Sequence, residues 1–299
     1  MRHPLPATLL CALLWGSAFP GIKIVYDHWS SIGLERTLPL ILFLAGLRFT
    51  LAGAGLLLFS TNLASDVQKT GWGKVLLLAL FQTFLQYFFF YQAIAVSSAS
   101  LTSLLVASGS LWWMILSPFF QKGPRPSRFQ WFAVLLGGCG VTLAVFSPGA
   151  GAGRPLLGAI LMLTATASGT LAILTFGRMS STMSARNATG LALLIGGLAL
   201  FFCGLPALSQ LPQILSGPVL PLTLGLAAVS AIAFSLWNHL STRFPVPVLA
   251  SYRFLIPICG VLEAFLFLPQ EFPGPGFLIG TPLVLVSMIL IGRRQNLIS

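Results

Sequence analysis

Four ionisable side chains lie inside long apolar runs of this sequence: Arg48, Arg253, Glu263 and His239. A charged group at the centre of a membrane helix costs about 2.5 to 3.5 kcal/mol, so such groups usually have a role. An arginine can hold a carboxylate through two parallel hydrogen bonds. Arg253 is therefore a candidate substrate-binding residue, with a structural pairing as the alternative, and Arg48 is a structural residue or part of the site. Glu263 and His239 are candidates for proton coupling. The alternative for Glu263 is a neutral or paired carboxyl, and the alternative for His239 is a histidine whose hydrogen bonds are satisfied at the membrane interface.

Amide and aromatic side chains accompany these charges. The segment Phe81–Gln92 places Gln82, Gln86, Tyr87 and Tyr91 in one row, and polar groups at bilayer depth need partners. Ligand sites are mainly apolar and aromatic with a few placed polar groups. We therefore expect this row to face a cavity, with further wall residues at Trp15, Trp112, Trp113, Trp237, Asn238 and Tyr252.

The stretch Ser97–Phe120, SSASLTSLLVASGSLWWMILSPFF, is long enough to span a bilayer but begins with small and hydroxylated residues. Small residues let helices approach closely, and membrane hydroxyls face a partner or a water-filled path. Ser103 and Ser108 are candidate cavity residues on this basis. Close packing alone, with serines bonded to their own helix, is the alternative.

Composition gives the setting for these residues. Of 299 residues, 56% are hydrophobic and only 7% are charged, against about 25% charged in soluble domains. The mean hydropathy is +0.93. We therefore predict an all-α integral membrane protein. Runs of about 20 apolar residues predict ten transmembrane helices: Leu5–Ile24, Leu38–Phe59, Gly73–Ile94, Ser98–Phe120, Phe129–Phe146, Leu156–Phe176, Ala188–Leu205, Val219–Leu240, Val246–Leu268 and Phe277–Ile291.

The basic residues indicate how these helices are oriented. With the N-terminus inside, eleven of the sixteen lysines and arginines fall on the cytoplasmic side, three fall outside and two lie within spans. This asymmetry predicts a multi-pass protein of the cell inner membrane with both termini in the cytoplasm. The net charge of +11 therefore reflects membrane topology. The sequence has no basic stripe with interleaved aromatic residues, so nucleic-acid binding is not indicated.

The two halves of the chain show a weak repeat. Spans three to five and eight to ten align without a gap at an offset of roughly 147 residues, with their proline-rich turns coinciding. Five helices per half is an odd number, so the second half must enter the membrane inverted. We predict one five-helix repeat over residues 1–149 and an inverted one over 150–299, an architecture that places substrate sites at the repeat interface.

Several motifs, in this order, resemble the EamA-type permeases of the drug/metabolite transporter superfamily. They are ALLWGSAFPGIKI (12–24), AGLRF (45–49), AIAVSSASLTSLLVASGSLW (93–112) and VLASYRFLIPICGVLEAFLFLPQE (248–271). The chain departs from the family in having QKGPRP after its fourth span and Ile256 before Pro257 in its ninth. The resemblance covers nearly the whole chain. It implies a central cavity between the halves, lined by the fourth and ninth spans, and export of amino acids and similar compounds.

Motifs for catalysis and ATP binding are missing from the sequence, including paired carboxylates, HExxH and Walker sequences. The four cysteines lack metal-ligand spacing, and neither a metal nor another cofactor is expected. We therefore expect a secondary-active exporter of an amino-acid-like substrate, working by alternating access among membrane lipids, with a proton as a candidate coupling ion. Uptake or facilitated diffusion, a polyspecific drug exporter and a non-transporting scaffold are the alternatives. The oligomeric state stays open.

Overall fold

Helices form all the regular secondary structure in the described part of the chain. The computed structural model describes residues 4–120, 127–146, 153–244, 249, 252–270 and 274–295. Its α-helices, in chain order, are α1 Leu5–Gly16, α2 Ala18–Ser31, α3 Leu38–Leu58, α4 Leu63–Thr70, α5 Trp72–Ala79, α6 Gln86–Val96, α7 Ala99–Leu105, α8 Ser108–Phe120, α9 Arg128–Val145, α10 Pro155–Gly177, α11 Ala185–Gly204, α12 Leu211–Ile214, α13 Val219–Ser241, α14 Leu255–Phe267 and α15 Pro275–Gln295.

Eight segments among the described residues are long and apolar enough to cross a membrane: Leu5–Ser31, Leu38–Leu58, Trp72–Val96, Ala99–Leu116, Arg128–Val145, Pro155–Gly177, Ala185–Ile214 and Val219–Ser241. The chain is therefore a multi-pass membrane protein. Two shorter apolar helices follow, α14 and the Pro275–Leu290 part of α15. They overlap the predicted ninth and tenth spans, and residues 246–248, 250 and 251, at the start of the predicted ninth span, lie outside the described residues.

Besides the break at Ser17 between α1 and α2, two further predicted spans are interrupted where the sequence suggested continuous helices. The third contains a π-helical stretch, Leu80–Leu85, between α5 and α6. The fourth divides into α7 and α8, because Val106 and Ala107 close a tight turn with N–H bonds to the carbonyls of Ser103 and Leu104, three residues back. Such interruptions inside membrane helices are frequent at functional sites.

Glycines allow two pairs of helices to pack at close range. On α11, a Cβ at Gly197 would lie 2.5 Å from the backbone nitrogen of Thr50 on α3. On α9, a Cβ at Gly140 would lie 2.6 Å from the carbonyl oxygen of Gly280 on α15. The small-residue stretch 190–197 therefore packs within the fold, against α3.

Candidate functional site

A cavity of about 360 Å³ lies between helices from both halves of the chain. Its lining includes Arg48, near the middle of α3, and Gln86, where the π-helical stretch meets α6. It extends to Gly177 and Ser180, at and beyond the C-terminal end of α10, and to Ser241 at the C-terminal end of α13. Sites for small organic ligands typically measure about 300 to 1,000 Å³, so the cavity has the size of a small-metabolite site.

An aromatic cluster forms one side of this cavity. The rings of Trp15 and Phe234 meet edge to face with centroids 5.3 Å apart, and those of Trp15 and Trp237 lie 5.5 Å apart. Tyr87 extends the cluster, with its ring centroid 6.3 Å from that of Phe234. Because these residues come from α1, α6 and α13, the cluster offers a ligand an apolar surface built by three helices.

Arg253 lies on the cavity wall in the turn that precedes α14. Backbone hydrogen bonds hold this turn, from Leu255 N to the carbonyl of Tyr252 and from Ile256 N to that of Arg253, both at 3.1 Å. The guanidinium lies over Gly109, with Nη2 3.0 Å from where a Cβ would stand. Within the described part of the chain it has neither a hydrogen-bond partner nor a carboxylate partner, so its donors are available to a ligand.

Arg48, the other arginine on the wall, is already engaged by neutral groups. Its Nε donates to Ser230 Oγ at 2.9 Å and to the carbonyl of Leu226 at 3.1 Å, and its Nη1 donates to Tyr91 Oη at 3.1 Å. The guanidinium carbon also lies 4.9 Å from the ring centroid of Phe49. Arg48 therefore joins α3, α6 and α13, while part of its side chain faces the cavity.

Three amide side chains also lie on the wall. The π-helical stretch carries Gln82, whose Nε2 is buried without a hydrogen-bond partner among the described residues. Gln86 packs on Gly169 of α10, where a Cβ would come within 2.8 Å of its Oε1. Asn238 is occupied, because its Nδ2 donates to Thr189 Oγ1 on α11. The two glutamines are thus the amides best placed to meet a ligand.

Nine of the residues predicted from the sequence line the cavity: Trp15, Arg48, Gln82, Gln86, Tyr87, Trp113, Trp237, Asn238 and Arg253. Seven others are outside its lining: Ser103, Ser108, Tyr91, Trp112, His239, Tyr252 and Glu263. The tight turn before α8 explains part of this second group. It brings Ser110 and Trp113 to the wall, whereas the Trp112 indole donates to the carbonyl of Leu163 at 2.9 Å.

The hydroxyls of the fourth span mostly serve helix packing. Ser103 Oγ donates to the carbonyl of Ser100 at 2.8 Å within α7. Ser108 and Thr166 share a hydrogen bond of 2.7 Å between α8 and α10. Thr170 Oγ1 donates to the carbonyl of Gly109 at 3.2 Å, again joining α10 to α8. Ser103 and Ser108 therefore make hydrogen bonds outside the cavity lining, while Ser110 reaches the cavity.

Helix α10 contributes wall residues that the sequence reasoning missed: Ala165, Thr166, Gly169, Ala172, Ile173 and Phe176. The run TATASG (164–169) was an available signal, because it is as small and hydroxyl-rich as the start of the fourth span.

Glu263 and His239 stand apart from the cavity lining. The Glu263 carboxyl lies between α14 and α1, with Oε1 3.1 Å from the position of a Cβ at Gly16. Its Oε2 is buried, and no residue in the described ranges forms a hydrogen bond with it. His239 is exposed near the C-terminal end of α13.

Two hydrogen bonds hold neighbouring helices together at the end of the bundle opposite to Ser180 and Ser241. Trp29 Nε1 on α2 donates to the carbonyl of Ile214 at 3.0 Å, and Tyr26 Oη donates to the carbonyl of Tyr91 at 3.1 Å. These bonds link α2 to α12 and to α6. The described part of the cavity lining therefore extends toward the end of the bundle at Ser180 and Ser241, away from these two bonds.

Residues 5–146 match the EamA-like transporter family. A protein of Synechocystis sp. (strain ATCC 27184 / PCC 6803 / Kazusa), named an uncharacterized transporter, is 27% identical over 307 residues, covering 95% of this chain and 88% of that protein. A solved crystal structure superimposes with a TM-score of 0.61 at 18% identity, covering 96% of each chain. This last likeness is one of fold.

Proposed function

This chain is an EamA-type permease of the drug/metabolite transporter superfamily, and we propose that it is a secondary-active exporter of small carboxylate-bearing metabolites, amino acids or related compounds. It is a transporter and not an enzyme, embedded in a membrane and acting on a small molecule. The observation that carries the proposed substrate is Arg253, a guanidinium on the wall of the cavity with no partner among the described residues. A carboxylate would supply the acceptor oxygens and the charge that it lacks.

The position of the cavity supports loading from the cytoplasm. The residues at its accessible end lie beside Arg178 and Arg243, which the positive-inside rule assigns to the cytoplasmic side. The bonds of Trp29 and Tyr26 close the opposite end. On this proposal the cavity is open to the cytoplasm, in a protein of the cell inner membrane with both termini in the cytoplasm, and is ready to take up a cargo for export.

Helix packing supports two inverted repeats of five spans, over residues 1–149 and 150–299. When the two halves are exchanged, each of these helix contacts corresponds to a contact that is also present. The pairs α3–α11 and α9–α15 each join corresponding spans of the two halves. The contact of α1 with α13 corresponds to that of α10 with α6, and the contact of α1 with α14 corresponds to that of α10 with α8. Alternating access would follow from one half rocking against the other around the cavity.

The proposed coupling ion is a proton, with Glu263 as the carrier and His239 as the second candidate. Glu263 has a buried carboxyl oxygen without a partner and lies outside the cavity lining, so it could take up a proton without displacing the substrate. A drug exporter for organic cations finds less support, because such cargo needs an acid on the wall. Uptake or facilitated diffusion is the main competing mode of transport.

Counterflow in proteoliposomes tests the proposal. Vesicles are preloaded with one member of a panel of amino acids and related carboxylates, and uptake of the labelled compound is measured with and without an inward-acid pH gradient. Uptake of one class is expected, with at least about a tenfold loss in Arg253→Gln, because the charged hydrogen bonds to the carboxylate disappear.

Arg128→Gln is the matched control, since Arg128 is an exposed arginine at the start of α9 and is outside the cavity lining. Uptake that is the same in the wild type and Arg253→Gln would refute carboxylate capture. Counterflow by none of the panel would refute the proposed substrate class.

A further inference from the structure

The charges around the cavity are all of one sign among the residues that the structure describes. The whole chain has only five acidic residues, and the four described ones, Asp27, Glu35, Asp66 and Glu263, are absent from the lining. Two arginines, Arg48 and Arg253, do line it. A ligand in this cavity therefore meets positive charge without a compensating carboxylate from these residues.

The available hydrogen-bonding groups are also mostly donors. Among the described residues Arg253 has no acceptor, and the buried Trp15 Nε1 and Gln82 Nε2 have no hydrogen-bond partner. All three side chains belong to the cavity lining. Buried donors that stay unpaired are costly, so a ligand rich in acceptor oxygens is favoured over one that brings further donors.

Two of the polar groups converge on neighbouring positions of α10. Gln86 packs on Gly169, and the next residue, Thr170, is hydrogen-bonded to the carbonyl of Gly109, the glycine against which Arg253 lies. A carboxylate held by Arg253 would therefore have an amide nearby. The aromatic cluster of Trp15, Phe234 and Trp237 remains for the apolar body of the ligand.

We infer that the cavity selects a net anion, an apolar carboxylate without an ammonium group, over the corresponding free amino acid. The substrate class would be 2-oxo, 2-hydroxy or N-acyl acids. This inference rests on the proposed function and narrows its substrate. Aromatic faces attract an ammonium, but they cannot offset the charges of Arg48 and Arg253. The carboxylate of a zwitterion would be bound while its ammonium was repelled.

Three isosteric ligands test this selection in the full-length protein reconstituted in nanodiscs. They are leucine, its 2-oxo acid 4-methyl-2-oxopentanoate, and the cation leucinamide, with dissociation constants measured by calorimetry at neutral pH. The 2-oxo acid is expected to bind at least about tenfold more tightly than leucine, with leucinamide weakest. Arg253→Gln should remove this preference and Arg128→Gln should keep it.

A reciprocal variant adds the missing acid. Gln86→Glu is nearly isosteric, and its carboxylate would stand on the cavity wall as a partner for an ammonium. The ratio of 2-oxo acid affinity to leucine affinity should fall by at least about tenfold. A ratio unchanged in Gln86→Glu would contradict an electrostatic origin of the selection.

The remaining outcomes separate the inference from the proposed function. Leucine binding as tightly as its 2-oxo acid, and depending on Arg253, would overturn the inference and leave the carboxylate exporter standing. Leucinamide binding most tightly, or no binding by any of the three ligands, would overturn both.

Discussion

Arg48 Nη1 donates a 3.1 Å hydrogen bond to the phenol oxygen of Tyr91, and the carbonyl of Tyr91 accepts a further 3.1 Å bond from Tyr26 Oη. These contacts join α3 to α6 and α6 to α2. Arg48 therefore has the acceptors that Arg253 lacks. Two arginines that looked similar in the sequence have different roles, since one braces helices and the other is open to a ligand.

Tyr91→Phe should destabilise the protein. The phenyl ring keeps the packing, but Arg48 Nη1 loses its acceptor in a fully buried place. We expect the free energy of unfolding to fall by about 1 to 3 kcal/mol, measured as a lower melting temperature in detergent. Tyr87→Phe, one turn earlier on α6, is the control, because its hydroxyl is bonded to none of the described residues. Equal melting temperatures for both variants would contradict the bracing role.

Gly197→Ala should destabilise the contact between α3 and α11. A Cβ at Gly197 would lie 2.5 Å from the Thr50 nitrogen, so the helices must separate, at a cost of about 1 to 3 kcal/mol. Gly55→Ala on α3 is the control, because nothing lies within 4 Å of its Cβ position and alanine favours helix by up to about 1 kcal/mol. Melting temperatures should move in opposite directions, and a stabilised Gly197→Ala would contradict this packing.

Asp66 should contribute stability that depends on pH. Its carboxylate on α4 accepts hydrogen bonds from Ser184 N at 3.0 Å and Asn187 Nδ2 at 2.8 Å, at the start of α11. Partial burial acts to raise the pKa of Asp66, but these bonds and Lys69 outweigh it and lower the pKa below its usual 3.8. Because the pKa of Asp66 is lower in the folded than in the unfolded state, its contribution to the free energy of unfolding is complete at a pH above the unfolded-state pKa. That contribution is lost as the pH falls through the folded-state pKa.

The test compares melting curves of the wild type and Asp66→Asn from pH 7 to below pH 4. At pH 7 the variant should be less stable by at most about 1 kcal/mol, since the group is partly exposed and screened. The difference should vanish at the acid end, where the wild-type carboxylate is protonated. Glu35→Gln, at an exposed acid, should match the wild type. A difference in stability between the wild type and Asp66→Asn that stays constant with pH would contradict the role given to the Asp66 carboxylate.

The apolar runs predicted most of the helices because their length is set by the thickness of the bilayer. The interruptions at Leu80–Leu85 and at Val106–Ala107 were not predicted, since neither a π-helical stretch nor a tight turn has a distinct signature in one sequence. That missed turn explains why, of the two tryptophans expected on the cavity wall, Trp113 is found there and Trp112 is not.

The candidate site was predictable in its residue types and less so in its contacts. Trp15, Gln86 and Arg253 could be selected because aromatic, amide and charged groups are conspicuous inside apolar runs. The lack of a partner for Arg253 depends on which helices meet around it, which hydropathy does not encode. Glu263 was selected for the same reason as a candidate for proton coupling, and tertiary packing places it against Gly16 and outside the lining.

Glu263→Gln should separate substrate binding from proton coupling. The amide keeps the size of the side chain between α14 and α1 but cannot exchange a proton. Because Glu263 is outside the cavity lining, affinity and counterflow should change less than about twofold, since both occur without net proton movement. Accumulation driven by a pH gradient should be lost. Glu35→Gln, at an exposed acid, should keep both activities. If Glu263→Gln retained gradient-driven transport, its carboxyl would be structural, and His239→Gln would become the next variant to measure.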